Sequence, residues 1–535
     1  MTRFRLWAPA GERVSLDVNG KAIAMAALEG GWFEADADAP AGTPYRYRVG
    51  DTAVPDPASR MQDADWSIVT DPDAYCWQDT AWRGRPWEET VLYELHAGLM
   101  GGFKGIEERL PSLAELGITA IELMPVAQFP GARNWGYDGV LSYAPAQVYG
   151  TPDDLKRMVD RAHALGLMVF LDVVYNHFGP DGNYLPLYAP DFFRGDRHTP
   201  WGAGIDFRRE QVRRFFIDNA VYWVREFHID GLRLDAVHAI DDSGFIAELA
   251  RAVRDAAPDR QVHLVVENER NDAALLAESG IAQWNDDFHH AVHVLLTGES
   301  EGYYGEYADA PAQGLARSLA GGFVRERSGP GPRLAPTAFM NFLQNHDHIG
   351  NRAFGERLTV LADETALRAA IALLLLAPPI PLIFFGEEVG AREPFLYFCD
   401  HADDKLADAV RDGRRNEFAK FPEFRDPAKR ARIPDPNAPE TFARSRPRLD
   451  GGDEWRALYK ELLELRRAQI VPRLKGCEAT GAEVVGPKAV RASWRMGDGA
   501  RLTILANLGH DPVGCAVPGI VPVWERAGTS CWIEP

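Results

Sequence analysis

TPDDLKRMVDRAHALGLMVFLDVVY, residues 151–175, is the stretch whose reading decides the fold. Thr151 is placed to cap a helix, with Pro152 at its first position and Asp154 three residues after the cap. Leu155, Met158, Val159, Ala162 and Leu165 then recur at helical spacing, and Gly166 stops the run. LMVFLDVVY (167–175) comes next and is apolar on both faces, as a strand must be when helices cover one side and a barrel interior fills the other. A helix running into a doubly buried strand is one βα unit of a parallel sheet.

Seven more runs of the same kind lie on either side: TVLYELH (90–96), ITAIELMPV (118–126), GLRLDAV (231–237), VHLVVENE (262–269), AQWNDDF (282–288), TAFMNFLQNHD (337–347) and IPLIFFGEE (380–388). Eight such strands predict an α/β chain folded as a (β/α)8 TIM barrel. Several runs switch at their C-terminal ends from apolar to acidic residues: Glu122, Asp172, Asp235, Glu267, Asp347 and Glu387. Those ends build the active-site face of such a barrel. Any one of these acids could instead cap the next helix, but that reading explains poorly why so many strands end alike.

Residues 1–85 hold short alternating runs, FRLWAP and YRYRVG among them, broken by Gly, Pro and Asp, which predicts an N-terminal β-sandwich. The barrel is expected over 86–474, with a short inserted subdomain at 178–209 rich in Gly, Pro, Asp and aromatics. Beyond 475 the runs VRASWRM and ARLTILANL return to period two, so 475–535 reads as a small C-terminal β-domain.

With 78 acidic against 58 basic residues the net charge is −20, which repels polyanions and argues against nucleic acid as a partner. The 14 Trp, 16 Tyr and 26 Phe include rings that can stack on the apolar faces of sugars. The start MTRFRLWAPAGERVSL lacks a signal-peptide pattern and no long apolar run occurs, so a cytoplasmic enzyme without membrane association is expected, and a monomer. Cys76, Cys399, Cys477, Cys515 and Cys531 are scattered and read as reduced packing thiols. No metal-ligand spacing or cofactor motif is evident.

Cleaving a glycosidic bond requires one carboxyl that carries a proton and one ionised carboxylate near the anomeric carbon. Arg233 stands two residues before Asp235 and projects to the same face of its strand, which favours an ionised Asp235 as nucleophile. Glu267 follows Leu264, Val265 and Val266, so a poorly hydrated carboxyl that keeps its proton is expected there, the general acid/base. Asp347 lies between His346 and His348, two donors expected to orient it for charge stabilisation. Spacing alone leaves a purely structural salt-bridge network as the alternative.

DVVYNH (172–177), GLRLDAV (231–237), ENE (267–269) and NHD (345–347) resemble, in order and in strand, the four signatures of the α-amylase superfamily of glycoside hydrolases. The resemblance implies Asp235 as nucleophile, Glu267 as acid/base and Asp347 as transition-state stabiliser. It also implies that His177, Arg233 and His346 bind or orient around the reacting sugar, that Tyr137 of NWGYDG stacks on it, and that Asp172 partners the arginine. Asn176 matches a position that holds calcium in many amylases, but the short insert offers no evident oxygen cage, so no metal is expected.

Longer stretches, IELMPVAQFPGARNWGYDGV (121–140), QWNDDFHHAVHVLLTGESEGYY (283–304), FLQNHDHIGNRAFGERL (342–358) and FCDH through VRDGRRNEF (398–418), are similar to the branch of the superfamily that acts on maltooligosyltrehalose. That similarity implies hydrolysis of the α-1,4 bond next to the terminal trehalose. HAGLMGGFKG and the segment 60–75 are shorter than in that branch, which bears on loop contacts only. Asp286, Asp287 and Glu299 have two open readings, as lining of the trehalose subsites or as salt bridges and helix caps. His289 and His290, adjacent on an expected strand, would point to opposite faces and so not share a metal. Trp135 and Trp284 read as core or rim packing, and 403–432 as a solvated helix and loop. The competing functions are a glycogen-branching transglycosylase, against which ENE argues, and a glycan-binding relative without catalysis.

Overall fold

The structure is a computed structural model and describes residues 1–199, 201–240, 242–325, 331–514 and 521–534. Eight parallel strands close into a barrel: β1 (Leu92–Leu95), β2 (Ala120–Leu123), β3 (Met168–Val173), β4 (Gly231–Leu234), β5 (His263–Val266), β6 (Ala282–Trp284), β7 (Phe339–Phe342) and β8 (Ile380–Phe384). All eight predicted runs supply a strand, in sequence order around the barrel.

The deciding unit forms as its residues dictate. Helix α1 (Pro152–Ala164) opens with a reciprocal cap, Asp154 N–H on Thr151 Oγ1 at 3.2 Å and Thr151 N–H on Asp154 Oδ2 at 2.8 Å. Its buried face is Leu155, Met158, Val159 and Ala162, and all six residues of β3 are buried. Next to β3, Gly231 begins β4 because nothing larger fits: a Cβ there would lie 2.2 Å from the Phe170 ring. Met168, Phe170, Val265, Met340, Phe342 and Leu382, with other strand residues, fill the barrel with apolar atoms, and Trp284 belongs to the same cluster.

The N-terminal segment forms two antiparallel sheets, one built on Thr2–Trp7 and Trp32–Ala37, the other on Val14–Val18 and Pro44–Val49. They pack face to face through contacts such as Phe4 against Tyr45. The C-terminal segment forms one five-stranded antiparallel sheet, from Glu478–Gly486 to Thr529–Glu534. Cys76, Cys399, Cys477 and Cys531 are free thiols, and Cys515 lies outside the described residues. Among the described residues no helix is long and apolar enough to cross a membrane.

The segment joining the N-terminal sheets to the barrel is clamped beneath the barrel. His163 at the end of α1 binds Asp79 through Nδ1 (2.7 Å) and Asp230 through Nε2 (2.8 Å), and its side chain is fully buried. Trp82 stacks on the His163 ring at 4.6 Å and donates to Asp230 at 2.7 Å, while His228 donates to Asp79 at 2.8 Å. Burial opposes charge on His163, but Asp230 and Asp79 outweigh it and raise its pKa. Burial likewise opposes charge on Asp79, yet hydrogen bonds from His163 and His228 hold it below the usual carboxylate range.

Replacing His163 by Ala takes one partner from each of two buried carboxylates and should cost about 3–5 kcal/mol in urea unfolding. The two shifts set how that cost varies with pH. The histidine's part is full below its ordinary 6.5 and fades as pH rises through the raised value. The Asp79 part is full above the ordinary 3.8 and is lost as pH falls through the lowered value. The wild-type advantage should therefore be largest between the two ordinary values, and an advantage that never declines on the alkaline side would count against a charged clamp.

Candidate active site

The site is organised by one guanidinium. Arg233 on β4 is fully buried, and its Cζ lies 4.0 Å from the centroid of the Trp284 ring that ends β6. Its Nη1 donates to Asp172 Oδ2 (2.7 Å) and Asp235 Oδ1 (2.8 Å), and its Nη2 to Glu267 Oε2 (2.6 Å). Asp172 stands opposite Arg233 in the β3–β4 register, which puts both on the same side of the sheet.

Asp235 is fixed a second time, by Asn176 Nδ2 donating to its Oδ2 at 2.7 Å and to its backbone carbonyl at 3.1 Å. Asn176 Oδ1 in turn lies 2.5 Å from His177 Nδ1, and His177 Nε2 lies 3.0 Å from the Tyr137 carbonyl. The side chain at the calcium-like position is thus engaged in holding Asp235. After Asp235 the chain turns through Ala236 at φ 41°, a left-handed conformation uncommon outside glycine, and the Ala236 N–H donates to Glu267 Oε2 at 3.1 Å.

Tyr137 donates to Asp172 Oδ2 at 2.5 Å, and its ring stacks on His346. Gly136 before it has φ 109°, and a Cβ there would meet the Pro125 carbonyl oxygen at 2.1 Å, so NWGYDG needs its glycine to place the tyrosine. Burial and the neighbouring Asp235 push the Asp172 carboxyl up to about 7 against the pull of Arg233.

Asp347, half-buried, accepts from Asn351 Nδ2 at 3.2 Å and lies 3.5 Å from His346 Nε2. Burial raises its pKa above the usual range although His346 favours the charged form. Asp286 lies within electrostatic reach of Glu267 and Asp347, and burial followed by those two charges raises it well above the carboxylate range.

Four expectations need correction. Glu267 meets a guanidinium and a backbone N–H, not an apolar wall, because the Arg233 side chain reaches it from the neighbouring strand β4. His348 does not orient Asp347: its Nδ1 bonds Asn345 Oδ1 at 2.6 Å and its Nε2 lies 3.8 Å from Asp286. His289 and His290 lie on a helix, α2 (Asp286–Thr297), since β6 ends at Trp284 and Asn285 caps the helix. Asp287, read as a subsite residue or a cap, is turned away and buried, accepting from Val324 N–H (2.6 Å), Asn271 (3.1 Å) and the Tyr307 hydroxyl.

Glu299 is likewise outside the cluster, paired with both Arg352 nitrogens at 2.7 and 2.8 Å. Trp135 is buried and donates to the Leu396 carbonyl. Glu387, at the end of β8, accepts from Tyr459 and the Phe384 N–H and is also structural. The residue that sequence reasoning passed over is Glu94 at the end of β1, whose oxygens hold His346; the same apolar-to-acid switch marks it in TVLYELH.

This fold and site define a glycoside hydrolase of the α-amylase type, and residues 60–186 match the family described as alpha amylase, catalytic domain. Residues 477–529 match a domain of unknown function, DUF3459. The chain is 39% identical to malto-oligosyltrehalose trehalohydrolase of Deinococcus radiodurans over 95% of its length and 88% of the relative's. It is 38% identical to the enzyme of that name from Saccharolobus solfataricus, covering 87% and 85%. A 1.4 Å crystal structure from Salmonella typhimurium, described as an alpha amylase candidate, superposes with TM-score 0.91 at 43% identity, covering 99% and 97%. The chain belongs to the malto-oligosyltrehalose trehalohydrolase family.

Arg233→Lys tests the organising role directly. An ammonium is a point charge and cannot serve three carboxylates in the guanidinium's planar fork. Turnover should fall by about 10²-fold or more with far-UV circular dichroism unchanged, and a Lys variant within a few-fold of wild type would show that the fork is dispensable.

Proposed function

We propose that the chain hydrolyses the α-1,4-glucosidic bond next to the terminal trehalose of maltooligosyltrehalose, releasing trehalose and a maltooligosaccharide with retention of configuration. The observation that carries the chemistry is the shared guanidinium, which ties Asp235 and Glu267 to one group and so suits the short carboxyl separation of about 5–5.5 Å used by retaining enzymes. The names of the full-length relatives support the substrate.

In this reading Asp235, held by Arg233 and Asn176, attacks the anomeric carbon while Glu267 protonates the leaving 4-oxygen of trehalose. The bond from carbon to that oxygen breaks, and a covalent glycosyl-enzyme forms. Glu267, now ionised, takes a proton from water, whose oxygen displaces Asp235 from the same face on which the trehalose left. Asp347 stabilises the positively charged ring, and His346 contacts its hydroxyls. Asp286 lines the leaving-group side, next to Glu267. Because Glu267 begins on Arg233, substrate binding has to draw it off that ion pair before it can serve as the acid. We take the protein to act as a cytoplasmic monomer.

Asp235→Asn and Glu267→Gln should each lower kcat by about 10³-fold or more while leaving the fold intact, since no neighbour supplies the lost role. Near-wild-type turnover of either purified variant would remove that residue from the mechanism.

For the substrate, kcat/KM for maltotriosyltrehalose should exceed that for maltopentaose by about tenfold or more. A buried polar group left unpaired by the wrong leaving unit costs about 1–3 kcal/mol. Equal values would reduce the reading to a general amylase, and new branch points without free trehalose would mark a transglycosylase. Proton NMR during turnover should show the α-anomer of the maltooligosaccharide first.

A further inference from the structure

We propose that Glu94 is a positioning residue for this reaction: it locks the His346 ring with Nε2 turned toward Asp347 and keeps that ring doubly protonated. The inference rests on the glycosidase reading of the site, but its first test needs no turnover.

Glu94 ends β1 and is fully buried, 252 residues from its partner in sequence. Both of its oxygens serve one residue: Oε1 lies 2.5 Å from His346 Nδ1, and Oε2 accepts the His346 backbone N–H at 3.2 Å. The carboxylate therefore fixes the main chain and the ring of His346 together. The ring's remaining freedom is removed by packing. Tyr137 stacks on it at 5.1 Å and 24°, Trp135 meets it edge-on at 5.5 Å, and Trp284 lies against it at 5.9 Å. Nε2 is left as the nitrogen facing the reaction, 3.5 Å from Asp347 Oδ1.

The charges around the ring come from four other strands of the barrel. Glu94 faces it from β1, Glu122 from β2, Asp172 from β3 and Arg233 from β4, while Asp347 follows it in the chain and His96 and His348 lie nearby. Burial and Arg233 oppose a cation on His346, but Asp347 and Glu94 outweigh them and push its pKa up to about 9. Glu122 behaves differently: neither of its buried carboxyl oxygens has a hydrogen-bond partner, and burial, Glu94 and Asp172 raise it well above the carboxylate range. It makes no hydrogen bond to the ring. The carboxylate that bonds the ring nitrogen is Glu94, so the positive charge on His346 depends on that contact and on Asp347.

A doubly protonated His346 presents an N–H donor to a sugar hydroxyl and a positive charge to Asp347. A neutral ring free to choose its tautomer or to swivel guarantees neither. The conservative change Glu94→Gln keeps shape and an acceptor for Nδ1–H but removes the charge, so the His346 pKa should drop below neutrality, while Glu94→Asp retains a carboxylate.

Nitrogen-15 spectra of the wild-type enzyme at about pH 8 should show a doubly protonated histidine, distinct from any signal of His163, that is missing in His346→Gln. Glu94→Gln should lose the signal at about pH 8 and regain it near pH 5. Its kcat relative to wild type on maltotriosyltrehalose should be lower at about pH 8 than at pH 5 by tenfold or more, the loss of cation expected for a pKa at least a unit below the assay pH. For Glu94→Asp the same ratio should stay flat with pH.

A neutral His346 in the wild type at about pH 8 would overturn the proposal without any variant. So would a Glu94→Gln defect of the same size at every pH, which would mark plain structural support. Should Glu94→Gln fail to fold, the wild-type spectrum and the Glu94→Asp profile still decide. A wild type inert on maltotriosyltrehalose would sink the substrate reading while leaving the spectra to judge Glu94.

Discussion

A guanidinium with no access to water has to be satisfied by the protein, and the satisfaction of Arg233 fixes most of what surrounds it. Taking such a charge out of water costs several kcal/mol, which is recovered only with well-placed partners. Asp172, Asp235 and Glu267 come from β3, from the end of β4 and from the end of β5, so three adjacent strand ends must be in register for the ion cluster to close. Trp284 carries the cation from below and separates it from the apolar filling of the barrel. Gly231 belongs to the same requirement, because a side chain there would drive β4 from the Phe170 ring and shift Arg233 with it. Fold and site thus meet at one residue.

The parts of this arrangement visible in the sequence are the local ones. Arg233 and Asp235 are two residues apart on a strand, so their shared face follows from strand periodicity, and the Thr151 cap with the run to Ala162 fixes α1 without outside information. Strand existence is equally legible, because runs apolar on both faces have few other uses. Contacts between strands are less so. Glu267 looks apolar from its own three predecessors, yet its environment is set by β4 alongside. Glu94 and His346 meet only because the barrel brings β1 close to the end of β7, a consequence of closure that no window of sequence contains. The misplaced helix start at Asp286 has a simpler cause. AQWNDDF reads as a strand to its end, but three residues suffice for β6, and Asn285 with two acids after it is a helix cap.

The electrostatic balance of the pocket fits the charge that the reaction develops. Glu94, Glu122, Asp172, Asp235, Glu267, Asp286 and Asp347 surround two cations, Arg233 and His346. So many carboxylates at close range raise one another, and burial adds to the effect. Glu122 and Asp286 are raised well above the carboxylate range by burial and by their neighbours, and Asp172 is pushed up to about 7. Asp235, with a guanidinium on one oxygen and an amide on the other, receives the donors that an anionic nucleophile needs. A neutral glucan enters such a pocket without strong attraction. The oxocarbenium-like ring that forms as the bond breaks is positive, and fixed carboxylates near it stabilise the transition state more than the ground state.

The same balance bears on how one arginine can serve two carboxyls with opposite duties. In the proposed mechanism Asp235 is the nucleophile and Glu267 the acid, yet Arg233 grips both. Asp235 keeps a second anchor in Asn176 that does not depend on Arg233. Beyond Arg233, Glu267 has the Ala236 N–H, donated from a backbone held in a left-handed turn to the same oxygen. A leaving unit that fills the space beside Glu267 removes water from it, and loss of hydration favours the neutral form of a carboxyl. In the proposed mechanism the nucleophile is thus fixed by two anchors already in place, while the acid, held through one oxygen by Arg233 and the Ala236 N–H, is the carboxyl that the seated leaving group has to release.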